Sequence, residues 1–140
     1  MSWIVAAGLS AFFASLVAIF GKMGVKNVDS NLAVALRTAI IVLFAWGIVA
    51  LQGNVGDLWK ISKYSYLFIV LSALATGLSW LFYYKALQLG EVARVALVDK
   101  LSILLTIIFA FVFLGEKPTI GTVTGGVLVT AGVMVSIFLK

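Results

Sequence analysis

The residues able to do chemistry in this chain are few, and the sharpest of them lie inside apolar stretches. Arg37 follows LAVAL (32–36), while Asp99 and Lys100 precede LSILL (101–105). Even lenient scales charge about 2.5–3.5 kcal/mol for an ionisable group at the centre of a membrane span, so such a group marks a functional site by default. Arg37 and Lys100 have stems long enough to carry their charge back to an interface, which is the structural alternative for both. Asp99 is too short for that and needs a cation, a hydroxyl or water. Arg37 is the partner its depth favours, because each charge lies about six residues, or roughly 9 Å, into its span. On a continuous helix Lys100 points about 100° away from Asp99 and is expected to face something else.

Hydroxyls and rings accompany these charges. Ser102 and Thr106 share a helical face with Asp99, and Ser72, Thr76, Ser79 and Tyr83 form a second stripe beside Trp80 and Tyr84. Two stripes facing each other would line a cavity suited to a small polar or amphipathic solute. The alternatives are that each hydroxyl bonds its own i−4 carbonyl, and that the rings form an aromatic belt at a membrane surface. Arg37, Ser79, Trp80, Tyr83, Tyr84, Asp99, Lys100, Ser102 and Thr106 are therefore the candidate solute-binding or gating residues. Gly121, Gly125 and Gly126, at small-xxx-small spacing, are candidates for close helix packing or dimerisation.

Other chemistry lacks its parts. The chain has no histidine, no cysteine and only five acidic residues, and it shows no phosphate-binding loop or nucleophile with a base. Enzymatic activity, metal sites and cofactors are not expected. The net charge of +5 does not imply a nucleic-acid partner, because the basic residues stand singly at helix ends, where they anchor a membrane protein.

The elements that must position these residues follow from hydropathy. With 64% apolar and 11% charged residues and a mean hydropathy of +1.21, the chain carries more hydrocarbon than a soluble fold hides. In lipid only helices or closed barrels satisfy the backbone, and these runs lack the period of two of a barrel strand. The expected fold is an all-α membrane protein: one domain over residues 1–140 with five transmembrane helices near 3–21, 32–51, 64–87, 93–114 and 118–139. The first stretch has no basic leader and is too long for a signal-peptide core, so it reads as a retained span. Asp29, Ser30 and Asn31 suit the cap of the second helix. Residues 52–63 form the longest loop, with Trp59 at headgroup level. Pro118 suits the first turn of the last helix.

Five crossings put the two termini on opposite sides of the membrane. Lys22, Lys26, Lys85, Arg94, Lys140 and, if counted, Arg37 lie on one side, against Lys60, Lys63 and Lys117 on the other. This bias favours an outer N-terminus and an inner C-terminus, but it is moderate enough to leave dual orientation open.

The stretches 77–90 (GLSWLFYYKALQLG), 98–117 (VDKLSILLTIIFAFVFLGEK) and 121–135 (GTVTGGVLVTAGVMV) resemble an EamA-type domain of the drug/metabolite transporter superfamily over the whole chain. The resemblance implies a transporter of small metabolites or drugs, typically an exporter in a bacterial inner membrane, built from two five-helix repeats of opposite orientation. Only one repeat is present here. An odd-numbered unit inverts when its copy is fused behind it, so an unfused copy must find its partner by assembly. A homodimer, with an antiparallel one foremost, is the expected state, and lipid bilayer and solute are the other partners. Members often carry a proline early in the fourth helix; residues 95–98 (VALV) have none, so no proline hinge is expected. Small multidrug resistance proteins, more distant relatives, use a glutamate in their first helix; none stands here, so proton coupling by that route is not expected. The competing function is a non-transporting accessory or scaffold subunit whose intramembrane charges are purely structural.

Overall fold

A computed structural model describes residues 1–139 and contains no strand among them; Lys140, counted in the charge bias above, falls outside the described residues. The chain divides into two compact units, one ending at Leu89 and one beginning at Gly90. The first holds α1 (Trp3–Gly24), α2 (Ser30–Leu51), a 3-10 segment (Asn54–Lys60) and α3 (Lys63–Leu89). The second holds α4 (Val92–Asp99), α5 (Leu101–Leu114) and α6 (Ile120–Phe138). Counting α4 and α5 as one run, five stretches are long and apolar enough to cross a bilayer. The shortest has 19 residues and rises about 29 Å, close to the thickness of the hydrocarbon layer.

Helix ends leave N–H and C=O groups unpaired, and local side chains take several of them here. Ser2 caps α1 by accepting from the N–H of Val5. Asp29 Oδ1 accepts from the N–H groups of Asn31 and Leu32, both at 3.0 Å, which fixes where α2 starts. Thr119 Oγ1 accepts from the N–H of Thr122, so α6 begins at Ile120 and Pro118 stands just before the cap. Gly115 closes α5 at φ 65°, a left-handed conformation that glycine adopts without strain, and the Glu116 N–H returns to the carbonyl of Ala110.

In the first unit, α3 is flanked by α1 and α2. Its C-terminal turn is the unit's polar fastening. Lys22 Nζ on α1 donates to the Leu87 carbonyl at 2.5 Å, and Gln88 Nε2 donates to the carbonyls of Val25 (3.2 Å) and Val28 (2.7 Å) in the α1–α2 connection. An ammonium at the carbonyl end of a helix also meets the favourable end of its dipole. Beneath these bonds Leu87 (0% exposed) and Val25 (1%) form the tightest part of the core, joined by Ala18 and Tyr84. Gly21 permits the approach: a Cβ there would stand 3.2 Å from Leu87 Cδ1 and 3.3 Å from the Tyr84 hydroxyl. Most large apolar side chains instead point outward, as hydrocarbon-facing residues do.

In the second unit α6 packs on α4 and α5, with Gly126 and Val133 buried. Ile107 Cδ1 comes within 2.7 Å of where a Gly126 Cβ would sit, so the glycine makes room for the isoleucine's flexible end.

Gly21→Val should lower the stability of the purified protein by about 1–3 kcal/mol, because the added methyls meet Leu87 and Tyr84 in a filled site. Gly8→Val and Gly47→Val, where nothing lies within 4 Å, should stay within about 0.5 kcal/mol of the parent. Reversible unfolding in mixed micelles measures all three.

Candidate functional site

The first unit builds a cationic site on aromatic rings. Arg37 is the eighth residue of α2, so its backbone lies about 10 Å inside the start of the helix. Its Cζ stacks 3.8 Å from the centroid of the Trp80 ring and 5.4 Å from that of Tyr84, both on α3. Trp80 itself stands nine residues inside the end of α3, roughly 13 Å by helical rise. Arg37 therefore does not snorkel; its charge is held within the span by two π faces. The spacing of Trp80 and Tyr84, four apart on one helix face, makes the platform.

Rings stabilise a guanidinium without satisfying its N–H groups. Within the first unit no carbonyl, hydroxyl or carboxylate accepts from it, and among the described residues buried Nη1 has no partner. The unit's two acidic residues are committed elsewhere. Asp29 caps α2, and Asp57 pairs with Lys60 at 2.6 Å in the 3-10 segment. A buried, unpaired donor on a charged group is costly enough to need a reason.

Beside Arg37 a groove of about 620 Å³ opens between α1 and α2. Phe13, Val17, Phe20, Leu36 and Ile40 give it apolar walls, and Arg37 and Tyr84 border it. Sequence reasoning did not find this groove. Its walls are ordinary apolar residues, and only the packing of α1 and α2 on α3 shows that they leave space next to Arg37.

In the second unit the fourth span is interrupted. Lys100 takes φ −69° and ψ −9°, and its N–H bonds back to Leu97 in a tighter, 3-10-like turn between α4 and α5. This corrects the expectation that Lys100 faces away from Asp99. On an unbroken helix the two would diverge, but across the break Lys100 Nζ comes 3.6 Å from Asp99 Oδ2. Both side chains stay about half exposed, at 51% and 40%. The interruption arises without proline.

The hydroxyl stripes are partly spent on their own helices. Thr106 Oγ1 donates to the Ser102 carbonyl and Thr76 Oγ1 to that of Ser72, both at 2.8 Å. Their protons are taken, and only acceptor lone pairs remain for another group. The Tyr83 and Tyr84 rings lie 6.4 Å apart, tilted by 60°, with Tyr84 buried and Tyr83 half-buried. Ser79 is exposed on α3, and Ser102 and Thr106 are exposed on α5. Of the helix-packing candidates, Gly126 packs on Ile107, Gly121 meets only its own Thr119, and Gly125 faces open space.

Among the described residues there is no cluster of metal-ligating side chains; the first unit carries the ring-stacked Arg37 and the second the Asp99–Lys100 ion pair. Residues 1–138 match the model of the EamA-like transporter family. The chain belongs to that family. It is 44% identical over 133 residues to an "Uncharacterized transporter in cobO 3'region" of Sinorhizobium sp, an alignment covering 95% of this chain and 94% of the relative. No solved structure matches it. The EamA-type resemblance read from the helix-three to helix-five motifs is thus the family, and the protein is a non-enzymatic membrane transporter of five apolar helices.

A double-mutant cycle combining Arg37→Met with Trp80→Leu should give a coupling of about 0.5–2 kcal/mol, the range of a partly desolvated cation–π contact. Unfolding in mixed micelles measures it; additivity within about 0.3 kcal/mol would mean that the stacking carries no energy.

Proposed function

We propose that this EamA-family chain is one half of an alternating-access transporter that exports small metabolites or drugs, with a second, oppositely oriented copy completing the solute path. The observation that carries the proposal is the guanidinium of Arg37, fixed on Trp80 and Tyr84 inside a span with no anion of its own unit to neutralise it. A purely structural arginine is expected to reach the interface or a carboxylate. One poised for a solute gains its partner only during transport.

In this scheme Arg37, Trp80 and Tyr84 hold the solute, and Ser79, Tyr83, Ser102 and Thr106 line its route. Asp99 and Lys100, at the break in the fourth span, form the gate. A discontinuous helix is a common device where an ion or solute must meet backbone and charge at membrane depth. Five spans support the inverted pairing, because an odd-numbered unit places its ends on opposite faces. The relative aligns over 94% of its own length, so it too is about one repeat long, which favours assembly from separate chains. Residues 1–138 act as one transmembrane domain, and the unfilled surfaces at Gly121 and Gly125 are available to the second copy. The bacterial inner membrane, with copies in both orientations around a weak preference for an outer N-terminus, is the expected setting.

Reconstituted into liposomes, the parent chain should carry a counterflow of solute that Asp99→Asn and Arg37→Gln each reduce by about tenfold or more, the effect of losing a hydrogen bond to a charged group. Helix content by circular dichroism should not change. Reporter tags on both termini in native membranes should be found on both sides; a single orientation for every copy would sink the antiparallel assembly.

A further inference from the structure

The groove beside Arg37 has the chemistry of a particular solute class. Its walls are Phe13, Val17, Phe20, Leu36 and Ile40, its volume is about 620 Å³, and its one ionised border is the half-buried guanidinium of Arg37, whose Nη1 has no acceptor among the described residues. The stacked rings leave the charge in place but supply no acceptor. A cation entering here would meet like charge in a medium that screens little, and a neutral apolar molecule would leave the N–H groups unpaired. An anionic headgroup on an apolar body answers both demands at once.

We infer that the α1–α2 groove binds an organic anion with an apolar body, its carboxylate or phosphate monoester at Arg37 and its body against Phe13, Phe20 and Ile40. The inference rests on the transporter proposed above and names the class of solute for that site. The occupant is a small solute and not a bilayer lipid. Arg37 is anchored about 10 Å inside α2 and its charge is pinned on Trp80 instead of rising to headgroup level, where a phospholipid phosphate stays. The walls stretch from Gly24 to Phe13 along α1, about 16 Å by helical rise, which is room for a ring and a short chain.

The test uses the full chain in phosphatidylcholine nanodiscs, with no gradient, and three probes sharing one body: 4-phenylbutyrate, 4-phenylbutylamine and 4-phenylbutanol. Calorimetric titration, corrected with empty nanodiscs, should show saturable binding of the carboxylate and binding at least tenfold weaker for the amine and the alcohol. Arg37→Gln should weaken carboxylate binding by about tenfold or more and relieve the repulsion of the amine, so that the preference for the carboxylate over the other two disappears. Equal binding of all three by the parent chain would overturn the inference, and this comparison needs no variant to fold. Loss of carboxylate binding when phosphatidylglycerol replaces a third of the lipid would also overturn it, by making the occupant a lipid. If liposome flux persists but carries a cation and 4-phenylbutyrate does not bind, the solute class fails and the transporter stands. If the carboxylate binds selectively and no solute is carried, transport fails and the anion site stands.

Discussion

Hydrocarbon offers no hydrogen bonds, and the organisation of this chain follows from that single deprivation. Every polar group at membrane depth must find its partner within the protein, which makes the spans helical and places the interesting chemistry wherever the supply of partners runs short. Helix ends are the first such places. Lys22 and Gln88 close the end of α3 and the α1–α2 connection, and the apolar contact of Leu87 with the Gly21 region lies directly beneath them. The arginine of α2 is the second. It is fastened by rings, which hold a charge without satisfying its donors.

The two units handle intramembrane charge differently. In the first, the cation is stacked on two rings with no anion of its own unit, and the groove beside it is apolar. In the second, an acid and a base lie next to each other at a helix break, half exposed and 3.6 Å apart. The 3.6 Å separation and the half-exposed side chains leave both groups surface for other partners. In the scheme proposed above, the cation of the first is the binding charge and the pair of the second the gate. Hydroxyls occupy a supporting position, since Thr76 and Thr106 donate to their own helices and retain only acceptor capacity.

The turn at Lys100 lies inside a span that hydropathy located, and shows what hydropathy leaves out. Residues 93–114 read as one helix because their hydropathy is continuous and contains no proline. A 3-10-like turn needs no proline, only a backbone bond from the Lys100 N–H to Leu97 in place of the regular helical one. Hydropathy reports which solvent a stretch prefers and carries no information on which carbonyl a given N–H selects.

Apolar run length and the spacing of charges were enough to establish lipid as the solvent, five helices as the crossing elements and Arg37 as an arginine that had to be explained. Those properties are local, since a span's length and the price of ionising a residue within it depend on neighbours in sequence. The partners of Arg37 were not legible in the same way. Trp80 and Tyr84 stood out as aromatic residues near a membrane surface, and nothing in their spacing said whether a belt or a cation would use them. The groove between α1 and α2 was likewise hidden, because Phe13, Val17 and Ile40 look the same whether they face lipid or a cavity. Packing of helices distant in sequence decided both, as the contacts of a side chain in a bundle are set by which helix lies opposite, and hydrophobicity rewards lipid and protein neighbours almost equally.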